Sequence, residues 1–399
     1  MTHLRTRVTA IGGVIVLLLI AGVWIALSHA SAKTTASDKP QTSPSAGQSA
    51  ATTSALHVTS VTPASHATGV NGARDVAVSF SAPLAANSPL PSITPKIAGT
   101  WQGQGTSTLR FAPTRGWRQN TKVTVKVPGG PSGVKSAAGG ELAATVTAKY
   151  QTGAYSTLRL DELLAQLDYL PLTWTASSST PAPTDASGQL SAAYNPPAGQ
   201  FTWKSGYPSE LKEFWHGGST SGLILSGAVM AFEENNGLTV DGIAGPQVWG
   251  TLLHDEAIQK ANTNGYTYAI ASENNPETLT IWHDGHQVLR TVANTGISQA
   301  PTTLGTAPVY LKYYTQIMRG KNPDGTKYAD RVYYVSYFRN GEAVHYYDRA
   351  SYGFPQSLGC VELPWNEAKT AWPYLTYGSL VTVQRGSLTP GSSPTDPTT

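Results

Sequence analysis

The hydrophobic residues of this 399-residue chain change their spacing twice, and the changes divide it into three folded segments. Between residues 56 and 152 apolar and polar residues alternate, as in the run Val76, Val78 and Phe80. A period of two predicts strands with one buried face. Proline and glycine clusters separate these runs, so we expect an all-β sandwich over 56–152.

A helical spacing begins at Thr157. One apolar stripe runs from Leu160 to Leu170, a second runs from Leu225 to Phe232, and a third helix begins at Pro246. Residues 157–254 are therefore predicted to form a small three-helix bundle. Its first loop is lengthened by a Ser/Pro/Ala-rich insertion over 175–200.

Strand patterns return from Thr278 onwards. The Asp284-Gly285 pair predicts a tight hairpin, and Leu380 to Val383 forms a late apolar run. Only Trp365 to Trp372 has the pattern of a short helix. We expect residues 266–385 to form a mostly-β domain, with 386–399 as a disordered tail.

The N-terminus has the pattern of a membrane segment. Arg5 and Arg7 precede an uncharged stretch from Val8 to Leu27, which as a helix spans about 30 Å of hydrocarbon. We expect residues 1–32 to be a signal-anchor and 33–55 a Ser/Thr/Pro-rich linker, with the later domains outside the cytoplasmic membrane. Cleavage near Ala30-Ser31-Ala32 is the alternative, and it would release the protein to the cell wall.

Composition excludes several classes of protein. Charged residues make up 13% of the chain and the net charge is +3, so no strong field is available to hold nucleic acid. The single cysteine, Cys360, cannot form an internal disulfide or a cysteine-rich metal site. We expect no metal and no organic cofactor.

The surroundings of Cys360 point to nucleophilic catalysis. The cysteine follows Gly359 in the sequence Ser357-Leu358-Gly359-Cys360-Val361, and His345 lies upstream of it. An imidazole can take the proton of a thiol, which creates a nucleophile and stores an acid for the leaving group. The glycine allows the backbone amides of Gly359 and Cys360 to face a developing oxyanion.

The first two segments resemble modules of bacterial surface proteins. Val61-Thr62-Pro63 and Phe80-Ser81-Ala82-Pro83 resemble bacterial Ig-like domains, for which a spacer role is expected. The stretches 228–232 and 237–249 resemble the peptidoglycan-binding domain of wall hydrolases. This second resemblance implies that the chain binds peptidoglycan.

The third segment resembles the YkuD-like L,D-transpeptidases. The resemblance lies in Asn294-Thr295-Gly296, in Pro301 to Gly305 and in the residues around His345 and Cys360. It implies that Cys360 is the nucleophile, that His345 is the base and that the carbonyl of Tyr346 orients this base. Further residues match the motif or are expected to lie near the substrate: Tyr352, Gly353, Ser357 and Leu358.

Two positions depart from the family pattern. Leu358 replaces a histidine two residues before the cysteine, and Glu362 replaces an arginine two residues after it. The loss of that arginine could raise the pKa of the thiol and leaves open how a substrate carboxylate is held. Alternatively, Glu362 has a structural role and pairs with a cation of its own domain.

The activity implied by the resemblance is the cross-linking of peptidoglycan stem peptides. A Cys acyl-enzyme would form at the third stem residue, a diamino acid, with loss of the terminal D-alanine, and an amine of a neighbouring stem would accept the acyl group. Carbapenem-type β-lactams are expected to acylate the same cysteine. The alternatives are an L,D-carboxypeptidase, in which water is the acceptor, an inactive wall-binding protein and, least favoured, a sortase.

Overall fold

The computed structural model of the chain describes residues 54–178, 183, 185–218 and 222–386. The predicted anchor over 1–32, nearly all of the linker over 33–55 and the tail beyond 386 lie outside these residues. Within the described part, no helix is both long and apolar enough to cross a membrane.

The first domain is the expected β-sandwich. Its strands are β1 (Val58–Thr62), β2 (Val76–Phe80), β3 (Ser92–Thr94), β4 (Gly99–Gln102), β5 (Thr108–Pro113), β6 (Lys122–Val127) and β7 (Val146–Gln151). They form two antiparallel sheets in the orders β1-β2-β5-β4 and β3-β6-β7. Alternate residues of β2 and β6 are buried in one shared core, which confirms the predicted period of two.

The second domain contains the three predicted helices and additional elements. Its elements are α1 (Thr157–Gln166), β8 (Leu172–Ala176), α2 (Ala186–Tyr194), β9 (Gly199–Trp203), α3 (Ser209–Lys212), α4 (Leu223–Asn235) and α5 (Pro246–Ala257). Helices α1, α4 and α5 are those expected from the apolar stripes. We call residues 157–257 the helical domain.

The prediction that residues 175–200 form an extended loop is wrong, because most of the described residues in this range belong to helices or strands. Strands β8 and β9 pair antiparallel, and α2 lies between them in the chain. Asp185 caps α2 by accepting hydrogen bonds from the amides of Ser187 and Gly188. The small residue Ala193 is fully buried in the core of the domain, so a Ser/Ala-rich segment packs here as a helix.

The third domain is mostly β, as expected. Its elements are β10 (Thr267–Ser272), β11 (Thr278–His283), β12 (His286–Val292), β13 (Gly305–Pro308), β14 (Leu311–Lys321), β15 (Lys327–Arg339), β16 (Glu342–Tyr346), β17 (Val361–Leu363), α6 (Trp365–Ala371) and β18 (Leu380–Gln384). One sheet has the order β12-β11-β10-β18-β13 and the other the order β14-β15-β16-β17. The Asp284-Gly285 turn joins β11 to β12 with positive φ at both residues.

Strand β10 is buried on both faces. Ala269 and Ala271 pack into the core between the two sheets of the third domain. Tyr268 and Ile270 point the other way and share a core with the helical domain, as does Leu380 of the neighbouring strand β18. The helical domain therefore covers the outer face of this sheet and is part of the same hydrophobic unit.

One close approach in this interface involves a helical glycine. A Cβ atom added at Gly227 of α4 would lie 2.5 Å from the carbonyl oxygen of Gly378. We expect Gly227→Ala to lower the free energy of unfolding by about 1–3 kcal/mol, because the backbone of two domains must separate. Urea denaturation measures this change. Gly250 of α5 is the matched control, since an added Cβ there meets nothing within 4 Å, and Gly250→Ala should stabilise by about 0.5–1 kcal/mol.

Candidate active site

The pairing of two short strands brings His345 and Cys360 together. Strand β16 runs parallel to β17, and His345 is aligned with Glu362. Cys360 immediately precedes β17, so its side chain and that of His345 both line a cavity of about 440 Å³. Gly359 has a φ of +109°, a conformation that residues other than glycine rarely adopt. The turn before the cysteine therefore requires glycine.

The Cys360 thiol is protonated in the resting enzyme. The residue is partly exposed in the cavity, but burial by its surroundings raises the pKa of the thiol to about 12, and the carboxylates of Glu362 and Glu342 act in the same direction. The backbone amide of Ala343 opposes them with a hydrogen bond to the sulfur. A thiol of this kind needs a base at the moment it attacks.

His345 has the protonation state of such a base. The residue is 3% exposed, and burial lowers the pKa of its imidazole, which is therefore neutral at neutral pH. Nδ1 lies 2.9 Å from the carbonyl oxygen of Tyr346. Because a carbonyl only accepts, Nδ1 carries the proton and Nε2 keeps its lone pair.

The predicted oxyanion donors differ in their availability. The Gly359 amide donates a hydrogen bond to Ser357 Oγ at 3.1 Å, and that hydroxyl donates to the carbonyl oxygen of Cys360 at 2.6 Å. Ser357 therefore closes the turn that carries the cysteine. In this structure the Gly359 amide already binds the serine hydroxyl, and its role as an oxyanion donor stays a prediction. The Cys360 amide is the second predicted donor.

Glu362, the second departure from the family pattern, has a cation as its partner. Arg349 donates from Nε to one carboxylate oxygen and from NH2 to the other, each at 2.8 Å, and it also donates to the carbonyl oxygen of Gln356. Arg349 and Glu362 both line the cavity. The structural interpretation of Glu362 is the one that these contacts support. Sequence reasoning missed Arg349, which has no motif of its own.

The other predicted positions divide into two groups. Leu358 lines the cavity next to the cysteine. Tyr352 and Gly353 are not among the cavity residues: the Tyr352 hydroxyl donates to the carbonyl of Tyr347, and the Gly353 amide donates to Asn294 Oδ1. These two residues shape the loop between His345 and Cys360.

The long β14–β15 hairpin contributes one wall of the cavity. Asn322, Pro323 and Asp324, at its tip, line the cavity, and so does Asp330 on β15. The two aspartates were not foreseen as cavity residues, because their position depends on how far the hairpin extends.

Three family models match separate parts of the chain. Residues 52–152 match the bacterial Ig-like domain, residues 218–252 a putative peptidoglycan-binding domain, and residues 266–383 the L,D-transpeptidase catalytic domain. The chain thus carries an L,D-transpeptidase catalytic domain that follows an Ig-like domain and a peptidoglycan-binding domain along the sequence. A comparison with curated proteins gave no match.

Solved L,D-transpeptidases are among the similar structures. An L,D-transpeptidase in complex with imipenem is 16% identical over 82% of this chain and 98% of its own, with a TM-score of 0.28. L,D-transpeptidase 3 from Mycobacterium tuberculosis gives the same four values. The catalytic domain of the E. faecium enzyme is 26% identical over 31% of this chain and 100% of its own, also with a TM-score of 0.28. We base the domain assignment on the family models alone, because TM-scores of this size carry no weight.

The raised pKa of Cys360 predicts a distinct alkylation profile. Since only the thiolate reacts, the rate with iodoacetamide should be slow at pH 7 and rise about tenfold per pH unit up to pH 10 without levelling. Mass spectrometry of the intact protein follows the reaction, and the chain has only one cysteine to label. Protein unfolded in urea is the control and should level off near the ordinary thiol pKa. A plateau below pH 9 in the folded protein would contradict this assignment.

The Arg349–Glu362 pair predicts an asymmetric mutational response. Arg349→Met leaves a carboxylate that is 6% exposed without its partner, and we expect it to lower the free energy of unfolding by roughly 3 kcal/mol. Replacing both residues by methionine should recover most of this loss, because no unpaired charge remains. The exposed pair Lys135–Glu141 is the control, where Lys135→Met should cost under about 1 kcal/mol. Equal losses in the single and double variants would contradict the prediction.

Proposed function

We propose that the protein is an exported L,D-transpeptidase that cross-links peptidoglycan stem peptides through a Cys360 acyl-enzyme. The observation that carries this proposal is that His345 and Cys360 line one cavity, with His345 Nδ1 held by the carbonyl of Tyr346. The lowered pKa of the imidazole and the raised pKa of the thiol support it. The match of residues 266–383 to the catalytic-domain family supports the same activity.

In the first half-reaction His345 Nε2 takes the proton from Cys360 Sγ as the sulfur attacks the carbonyl carbon of the third stem residue. The Cys360 amide donates to the oxyanion that develops. The imidazolium then returns its proton to the amine of the terminal D-alanine, the peptide bond breaks and a thioester remains. This order of proton transfers requires no thiolate before the substrate binds, which fits the raised thiol pKa.

In the second half-reaction an amine of a neighbouring stem attacks the thioester. His345 takes the excess proton from this amine, the carbon–sulfur bond breaks and Cys360 recovers the proton as a thiol. One amide bond replaces another, so no external energy source is needed. The carboxylates of Asp324 and Asp330 in the cavity favour the approach of an acceptor that carries an ammonium group, which releases one proton to the solvent before it attacks as the neutral amine.

Hydrolysis of the same acyl-enzyme is the second candidate. Water would replace the acceptor amine, and the protein would be an L,D-carboxypeptidase. The acidic residues of the cavity favour transfer, because water gains nothing from them. With a tetrapeptide-stem muropeptide as the substrate, dimers indicate transfer, whereas tripeptide monomers alone would exclude it.

We further propose that residues 1–32 anchor the protein in the cytoplasmic membrane with its domains in the cell envelope. The uncharged stretch behind Arg5 and Arg7 supports this location. Detection of the full-length chain in the membrane fraction, with its N-terminus intact, tests the proposal. A mature protein that begins after Ala32 would show cleavage and release to the wall.

Two substitutions test the catalytic assignments. Cys360→Ala should abolish muropeptide turnover and the mass increase that a carbapenem produces, because the acylated atom is gone. His345→Gln should lower the acylation rate roughly a hundred- to ten-thousandfold, since the thiol loses its base. Intact-protein mass spectrometry and chromatography of the muropeptides give the two readouts. Unchanged turnover in Cys360→Ala would exclude Cys360 as the nucleophile.

A further inference from the structure

A second cavity, of about 620 Å³, lies between the Ig-like domain and the helical domain. The loop between β5 and β6 supplies one side, with Arg115 and Arg118. Helices α2 and α5 supply the other side, and Trp249 and Gly250 of α5 are among their contributions. We call it the interdomain cavity. Its volume lies in the range that holds a small organic ligand.

The loop that carries the two arginines is fixed by contacts to both domains. Trp117, between them, is buried, and its indole nitrogen donates to the carbonyl of Pro95 at 3.0 Å. Its own carbonyl accepts from the Tyr194 hydroxyl of α2 at 2.8 Å, and Thr152 Oγ1 donates to the carbonyl of Arg118 at 2.6 Å. The cationic side chains thus project from a preorganised backbone, which lowers the entropic cost of binding.

The lining has the chemistry of a site for an anionic ligand with apolar groups. Among the described residues that line the interdomain cavity none is acidic, and Arg115 and Arg118 are both exposed. Neither arginine forms an ion pair within the part of the chain that the structure describes. Tyr155 and Trp249 also line it, with ring centroids 4.9 Å apart. Guanidinium groups bind carboxylates in pairs of charge-assisted hydrogen bonds, and the partly exposed ring of Tyr155 offers an apolar surface.

We propose that the interdomain cavity binds peptidoglycan through carboxylates of its stem peptides. The proposal deepens the wall binding in the proposed function and rests on it, because Pro246, Trp249 and Gly250 belong to the stretch that matches the peptidoglycan-binding family. It adds that the site is composite. The Ig-like domain supplies the cations, so this domain has a ligand role beyond that of the spacer expected from the sequence.

Sedimentation with insoluble peptidoglycan tests the proposal. The probe is wall material from which phosphate polymers have been removed with hydrofluoric acid, and the protein is the full-length chain carrying Cys360→Ala, so that the catalytic site cannot acylate. Arg115→Ala with Arg118→Ala should raise the dissociation constant about tenfold and reduce its salt dependence. Lys96→Ala with Lys126→Ala removes the same charge from exposed positions of the same domain and should leave binding unchanged.

Occlusion of the cavity gives an independent variant. A side chain at Gly250 enters open space, so Gly250→Phe should fill part of the cavity and weaken binding to a similar degree, whereas Gly250→Ala should retain it. Unchanged binding in both the arginine variant and Gly250→Phe would overturn the proposal. Weaker binding to untreated walls but not to stripped walls would also overturn it, because the ligand would then be a phosphate polymer.

A catalytic readout separates this proposal from the proposed activity. With Cys360 restored, the double arginine variant should turn over soluble muropeptides at the wild-type rate, since the two arginines are not part of the catalytic cavity. Parallel loss of turnover would overturn the interdomain cavity as a separate binding site. If the wild-type protein binds walls but shows no turnover, the transpeptidase proposal fails and the binding proposal stands.

Discussion

The burial of strand β10 on both faces joins the helical domain to the third domain. Alternate residues of one strand serve two cores, one between the catalytic sheets and one beneath the helical domain. A strand with two buried faces cannot shift its register by one residue without exchanging both sets of side chains. The register is therefore strongly specified. As a result, the helices that match a wall-binding family are fixed to the catalytic sheet by a shared core as well as by the chain.

The chemistry of the catalytic cavity depends on which of its groups carry protons. A thiol with a raised pKa and an imidazole with a lowered pKa are both neutral at rest. Neither group bears the cost of a buried charge before the substrate arrives. During the attack a positive charge develops on the imidazolium and a negative charge on the oxyanion. Glu362 is paired with Arg349 by two hydrogen bonds, and its carboxylate still contributes to the raised pKa of the thiol.

Sequence patterns predicted the elements whose signal is local. Alternation predicted the strand β2 and the leucine stripe predicted α1. The surroundings of Cys360, together with the family resemblance, pointed to His345 and Cys360, which line one cavity. Helix α2 was missed because serine and alanine form no apolar stripe, although Asp185 was a possible cap signal. The hydrogen bond from the Gly359 amide to Ser357 was not predicted, since resemblance to a family does not reveal which acceptor a local hydroxyl offers.

The features that could not be predicted depend on contacts between distant segments. Arg349 meets Glu362 only because the loop before Cys360 folds back across β17. The two arginines of the interdomain cavity meet Trp249 because the Ig-like domain docks on the helical domain. The net charge of the chain is only +3, yet its charges are arranged locally. The catalytic cavity holds two aspartates outside its one ion pair, and the interdomain cavity is lined by cations without acids. Under the two proposals, a stem peptide with an ammonium on one residue and carboxylates on others can satisfy both cavities, so the protein would hold its polymer in one cavity and react with it in the other.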